Sequence, residues 1–327
     1  MTSDASNRLH AISRISSMNN FSAFLHANGL LPRDVVADGR WHRCPTTSHP
    51  KKKNGSFKFA ADGLIGWCLD YAVHSEPLTW RQDKSDAPAK IDHAAIDRRQ
   101  AQARRDLVRA TQAARSFYLG CKPLRGGHPY LASHGLAMTG CFGLKIDAEG
   151  WIVVPVLLDG NLMSVQRISP DGDKRFWSGA SVKAGSYAVE RRHASVTVLC
   201  EGLATGLAIF EATPLARVLV AFDAGNMRRV PVPRQGMVVV AADNDFRTAL
   251  KIGRNPGLEA ATEAAEAIGC GVALPTGLRA GSDWCDFRME RVAHLLNDNL
   301  KARDGDIRRR VDAEIAAAIM RNATFLR

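Results

Sequence analysis

The sequence contains no Cys-x-x-Cys pair, and its seven cysteines (Cys44, Cys68, Cys121, Cys141, Cys200, Cys270 and Cys285) are scattered and odd in number. That pattern excludes a disulfide framework and fits a reducing compartment, so a cytoplasmic location is expected. There is no apolar run long enough to span a bilayer, and the polar start MTSDASNRLH is not a secretory signal, so no membrane partner is expected. No GxxxxGK[ST] loop occurs, which excludes a P-loop ATPase or helicase within these residues. What the chain has in excess is positive charge. Lys and Arg number 44 against 33 Asp and Glu, a formal charge of +11 over 327 residues, which points to an anionic partner, nucleic acid first. With 46% apolar residues, a chain of this length can bury a substantial core in two or three domains.

Short apolar runs at Val196–Cys200, Arg217–Ala221, Met237–Ala242 and Cys270–Leu274 alternate with helical patterns. This reads as a parallel sheet with crossovers, and such sheets bind ligands beyond the carboxyl ends of their strands. Glu201 follows the first run, Asp243-Asn244-Asp245 the third, and Asp283-Trp284-Cys285-Asp286 comes after the fourth. A single acidic residue after a strand is usually a turn or cap. Glu201 together with an Asp-x-Asp is a rarer coincidence. Two carboxylates two residues apart at a strand end can point into one pocket and hold Mg²⁺ or Mn²⁺ for phosphoryl transfer.

The words LCEGLATGLAIFEAT, VLVAFDAGNM, VVVAADND, NPGLEAATEAAEAIG and SDWCDF resemble the Toprim domain, and together they look most like the Toprim primases of phages and plasmids or other mobile elements. The resemblance implies an α/β fold: a Toprim parallel sheet flanked by helices, preceded by a smaller mixed or antiparallel primase subdomain and a small β-rich N-terminal domain. It implies catalytic Glu201, Asp243 and Asp245, with Asp283 completing a metal set. Asp283 and Asp286 each also have the alternative of capping the following helix. Asp223 reads as structural or peripheral. The activity implied is synthesis of short primers on single-stranded DNA from nucleoside triphosphates, beside a separate replicative helicase. Two alternatives stay open: a single-stranded DNA-binding protein with an inactive Toprim core, and a Toprim nuclease. A topoisomerase is disfavoured, because Tyr71, Tyr118, Tyr130 and Tyr187 offer no further domain with an active tyrosine.

The remaining regions are expected as follows. Residues 1–88 form a small β-rich domain standing where the family carries a zinc ribbon. Its only candidate ligands, Cys44, His49, Cys68 and His74, have loose spacing, so zinc is not expected. Its outer face carries Lys51, Lys52 and Lys53 for DNA, and its aromatics divide between core and base stacking. Residues 81–95 read as a linker. Residues 89–195 hold a basic helix and the smaller core subdomain. Between Ile96 and Leu119 an apolar stripe of Ala103, Leu107, Ala110, Ala114 and Phe117 opposes Arg104, Arg105 and Arg109, a candidate phosphate-facing surface. HPYLASHGLAMTG reads as a short helix-turn, and residues 151–189 as antiparallel strands turning at Asp159-Gly160 and Asp171-Gly172. If the resemblance holds, Gln166, Arg167, Lys174, Arg175 and Lys183 face template and nucleotide. Residues 196–290 are the catalytic domain, and 291–327 a basic tail of two helices.

Overall fold

The computed structural model describes residues 18–74, 76–82, 93–136, 143–277, 283–298 and 303–326, and divides into two compact units, Met1–Ala103 and Arg104–Arg327. In the first unit, residues 18–27 form helix α1, followed by strands β1 (Trp41–Cys44), β2 (Gly55–Phe59), β3 (Ile65–Asp70) and β4 (Leu78–Arg81). These pair in sequence order, all antiparallel, as a meander within the expected β-rich region. Period-two alternation sends Cys44, Phe57, Phe59 and Cys68 inward against Phe21 and Leu25 of α1. Gly66 is required where the helix lies on the sheet: a Cβ there would come 2.2 Å from the Phe21 ring. The aromatics divide accordingly. Trp80 packs on the core, whereas Trp41 and Tyr71 are about half exposed. Arg43 lies 4.4 Å over the Tyr71 ring and Lys58 lies 5.2 Å over Trp67.

The residues weighed as zinc ligands are dispersed in character. Cys44 and Cys68 belong to the apolar core, and burial pushes both thiols up, Cys68 to about 11. His49 is exposed and bonded to Ser48, while His74 Nδ1 accepts the Asp70 N–H.

Helix α2 (His93–Gly120) starts three residues before the helical pattern read from the sequence, so His93, Ala94 and Ala95 are helix, not linker. Alanine's high helix propensity accounts for the extension. The linker residues 83–92 lie outside the described residues. In the second unit Ala114 is fully buried, Phe117 packs 4.8 Å from Trp177, and Gly179 lies against Ala110. Leu107 and Val108 stay exposed, so the apolar stripe is used only toward the helix's C-terminal end.

An antiparallel sheet follows, running in sequence order: β5 (Lys122–Pro123), β6 (Lys145–Ile146), β7 (Ile152–Leu158), β8 (Asn161–Ile168) and β9 (Lys174–Phe176). Helix α3 (Pro129–Ser133) is the expected helix-turn, capped by His128. Asp159 (φ 49°) and Gly160 (φ 76°) are both left-handed and close the β7–β8 hairpin.

The second sheet comprises β10 (Tyr187–Glu190), β11 (Val196–Cys200), β12 (Ala216–Val220), β13 (Gly236–Ala241) and β14 (Gly271–Ala273), in the order β10-β12-β11-β13-β14. The last four strands are mutually parallel, joined by α4 (Leu203–Ala212), α5 (Ala224–Met227), α6 (Phe246–Ile252) and α7 (Pro256–Ile268). All of β11 is buried, as a central parallel strand covered on both faces must be. One expectation is corrected here: β10, read as part of the antiparallel subdomain, is the antiparallel edge of this second sheet. Tyr187 and Val189 point inward while Ala188 and Glu190 are exposed, the pattern of a strand covered on one face. The tail forms two helices, α8 (Trp284–Asp298) and α9 (Asp304–Asn322), as expected, but it then returns to the sheet as β15 (Thr324–Leu326), antiparallel to β13. One continuous core joins the two sheets, from Ile152 and Ile168 through β11 and α4 to Ile315 and Ile319.

Candidate active site

Because β11 and β13 are parallel neighbours, their carboxyl ends lie side by side, with Cys200 opposite Ala241. Glu201 is the next residue after one strand and Asp243 lies two beyond the other. On the other flank of β11, the turn after β12 donates the Phe222 N–H to the Glu201 carbonyl at 2.8 Å. Asp223 caps α5, its Oδ1 accepting the Asn226 N–H at 2.8 Å. Asn226 is buried and fully used. It donates to the carbonyls of Val182, Gly185 and Ala221 and accepts the Ala184 N–H, so it ties the segment before β10 to the strand ends.

The Asp243–Asp245 turn is braced by residues at the start of α7. Asn255 caps α7 through the Leu258 N–H, and the same Oδ1 accepts the Asp245 N–H at 3.1 Å. Its Nδ2 donates to Asn244 Oδ1 at 2.9 Å, and Asn244 in turn donates to the Pro275 carbonyl at 2.9 Å. Gly257 donates its N–H to Asp245 Oδ2 at 2.9 Å, at the amino end of α7 where backbone N–H groups favour negative charge. A Cβ at Gly257 would lie 2.5 Å from the Asp243 carbonyl, so only glycine allows this approach. The Asn-Pro-Gly signal was visible in the sequence; its service to the Asp-x-Asp turn was not.

The electrostatics set the carboxylates apart from ordinary surface acids. Burial, then the charges of Asp283, Glu201 and Asp245, push the Asp243 carboxyl up to about 8. Its Oδ1 is buried and has no hydrogen-bond partner among the described residues. Burial and the neighbouring Asp245 and Asp223 also push Glu201 up, and burial raises Asp283. It is Asp283, not Asp286, that caps α8: Oδ1 accepts the Asp286 N–H at 2.8 Å and Oδ2 accepts the Thr205 hydroxyl at 3.0 Å. Cys200 is fully buried with its thiol held well above the usual range, and the Cys285 thiol donates to the His134 carbonyl, so neither is a poised nucleophile. Among the described residues no three His, Cys, Asp or Glu side chains converge to enclose an ion.

Strand alternation divides the basic residues grouped from the sequence. Lys174 pairs with Ile168, on the face toward the carboxylates, and its charge acts on both Glu201 and Asp243. On that face too, Phe176 meets Phe222 with ring centroids 6.0 Å apart, and Gln166 is buried. Arg175 pairs with Arg167 on the opposite face. Arg167 is bonded to Asp147 at 2.7 Å and Glu149 at 3.0 Å, and both arginines lie over the Trp151 ring. Lys183 is exposed in the segment held by Asn226. Lys51, Lys52 and Lys53 are exposed in the first unit, and Arg104, Arg105 and Arg109 are exposed on α2.

Residues 196–294 match the family model described as the Toprim domain. Two curated relatives from Escherichia coli are each named DNA primase TraC. One is 29% identical over 255 residues, covering 72% of this chain and 24% of its own length; the other is 27% identical over 256 residues, covering 72% and 17%. The chain thus spans a quarter or less of these relatives. Among solved structures, the primase domains bound to the bacteriophage T7 lagging-strand DNA polymerase match with 15% identity and a TM-score of 0.37, over 60% of this chain and 91% of theirs. The primase fragment of the T7 primase-helicase protein matches with 15% identity and a TM-score of 0.36, over 55% and 80%. The chain carries a Toprim domain, and its resemblance to the Toprim primases of mobile elements is borne out.

Proposed function

We propose that residues 104–327 form a primase core that joins nucleoside triphosphates into short oligomers on a single-stranded DNA template. The observation that carries this reading is the set Glu201, Asp243 and Asp245 at the carboxyl ends of adjacent parallel strands, with Lys174 facing it. The similarity to the TraC primases over 72% of the chain supports it. Magnesium or manganese fits this set: the donors are hard oxygens, they repel one another, and Asp243 Oδ1 is buried without a partner. Asp243 and Asp245 would hold the ion, with waters and substrate phosphates completing the shell, because Mg²⁺ seldom takes an all-protein cage. When bound, the ion supplies positive charge at the phosphoryl oxygens. Asp283 adds negative charge to the set with both its oxygens already engaged.

In this scheme Glu201, with its carboxyl raised, takes the proton of the attacking 3′-hydroxyl. The Lys174 ammonium offsets charge on the transferred phosphoryl group, and Asn255 and Gly257 keep the Asp243–Asp245 turn from drifting. Lys51–Lys53 and Arg104, Arg105 and Arg109 supply sequence-independent affinity for the template. Arg167, Arg175 and Lys183 contact template or nucleotide away from the carboxylates, and a separate helicase delivers the single strand. The test is to incubate the chain with single-stranded DNA, labelled nucleoside triphosphates and Mg²⁺. Short labelled oligomers are expected. Degraded template without oligomers would instead identify a nuclease, and binding without either product would identify a DNA-binding protein with an inactive core.

A further inference from the structure

α8, α9 and the residues 274–277 after β14 border an open cavity of about 680 Å³. That volume lies in the range of small-molecule sites, roughly 300–1,000 Å³. Trp284, Phe287 and Leu274 supply an apolar and aromatic lining, and Ala313, Ala317 and Ala318 of α9 are small enough to leave the space open. Arg291, Arg310 and Arg321 also line it, against one carboxylate, Glu314. Glu314 is bound at 2.9 and 3.3 Å by Arg291 and stands 3.8 Å from Arg310, while Arg321 has no carboxylate partner among the described residues. The lining therefore keeps a positive excess. Trp284 is 1% exposed, and its indole N–H has no hydrogen-bond partner among the described residues, a buried donor still lacking an acceptor.

We propose that this cavity binds a free nucleotide, with its base against Phe287 and Leu274 and its phosphates on Arg310 and Arg321. An aromatic wall suits a planar heterocycle, and an excess of guanidinium groups over carboxylates suits phosphate. An apolar peptide would leave those arginines unused, and a space of about 680 Å³ suits a single nucleotide. The site is also placed to influence the carboxylates. Its wall includes Leu274 and Thr276, which flank Pro275, the residue whose carbonyl holds Asn244 in the middle of the Asp243–Asp245 turn. The binding claim rests on the cavity alone and stands or falls separately from the primase reading.

The test is calorimetric titration of the full chain with ATP in EDTA, so that no metal ion assists triphosphate binding at the carboxylates. Saturable binding below millimolar concentration is expected, with adenosine and tripolyphosphate each at least about tenfold weaker. The double variant Arg310→Ala/Arg321→Ala should weaken ATP at least about tenfold, because two charge-assisted contacts are lost. Ala317→Trp, at an exposed helix position, should abolish binding by filling the space without changing charge. Circular dichroism checks that each variant is folded, and the exposed arginine pair carries the test if the tryptophan variant is not. No saturable binding, equal binding of tripolyphosphate, or unchanged affinity in the folded cavity variants would overturn the proposal. So would displacement of ATP by a short thymidine oligonucleotide at lower concentration.

Discussion

Asp243 holds its proton to about pH 8 because it is buried beside three other carboxylates. An unfolded aspartate ionises near pH 4. Between those values the folded chain keeps a proton that the unfolded chain has released, so the stability contributed by this group is fully present below about pH 4. It is lost as pH rises toward 8 and is level beyond. Asp243→Asn removes the dependence. In EDTA, its melting temperature relative to the parent chain should therefore climb from pH 4 to pH 8 and then plateau; parallel profiles would show that Asp243 ionises normally. At this scale the sequence was partly legible. Acidic residues directly after apolar runs announce themselves, so Glu201, Asp243 and Asp245 could be picked out. Asn255 and Gly257 could not be tied to them, because a side-chain clamp across ten or more residues leaves no periodic trace. Nor could the sequence say that Asp283, and not Asp286, would cap α8.

The elements around the carboxylates are held together by a buried ion cluster. Arg288 of α8 bonds Glu211 of α4 at 2.6 Å and Asp312 of α9 at 2.7 Å and 3.1 Å, with 9% of its surface exposed. Arg288→Ala would remove the cation between Glu211 and Asp312, so a loss of about 3–5 kcal/mol is expected in urea unfolding. A loss below about 1 kcal/mol would mean that water replaces the guanidinium freely. The four parallel strands were legible because each is a short β-rich run ended by a turn or acid. β10 and β15 were not. An edge strand is defined by which neighbour it meets, and β10 lies next in sequence to one sheet but pairs with the other. The same limit applied to the basic residues of β8 and β9: grouped by charge they look alike, yet alternation sends Lys174 to the carboxylates and Arg167 and Arg175 to the other face.

For the whole molecule, the excess of 44 Lys and Arg over 33 Asp and Glu should make binding to single-stranded DNA strongly salt-dependent. Each phosphate contact contributes about 0.7 to the slope of log affinity against log salt on a single strand. Replacing Arg104, Arg105 and Arg109 together by alanine should therefore lower that slope by roughly 2. An unchanged slope would mean that these arginines do not contact phosphate. The central claim concerns the strand-end carboxylates, and the most direct measurement compares primer synthesis by the parent chain and by Asp243→Asn/Asp245→Asn on the same single-stranded template with Mg²⁺. Losing the metal-holding groups removes several kcal/mol of charge stabilisation, so the rate should fall on the order of a thousandfold or more, with folding and DNA affinity retained. A folded double variant that makes primers at close to the parent rate would contradict the account.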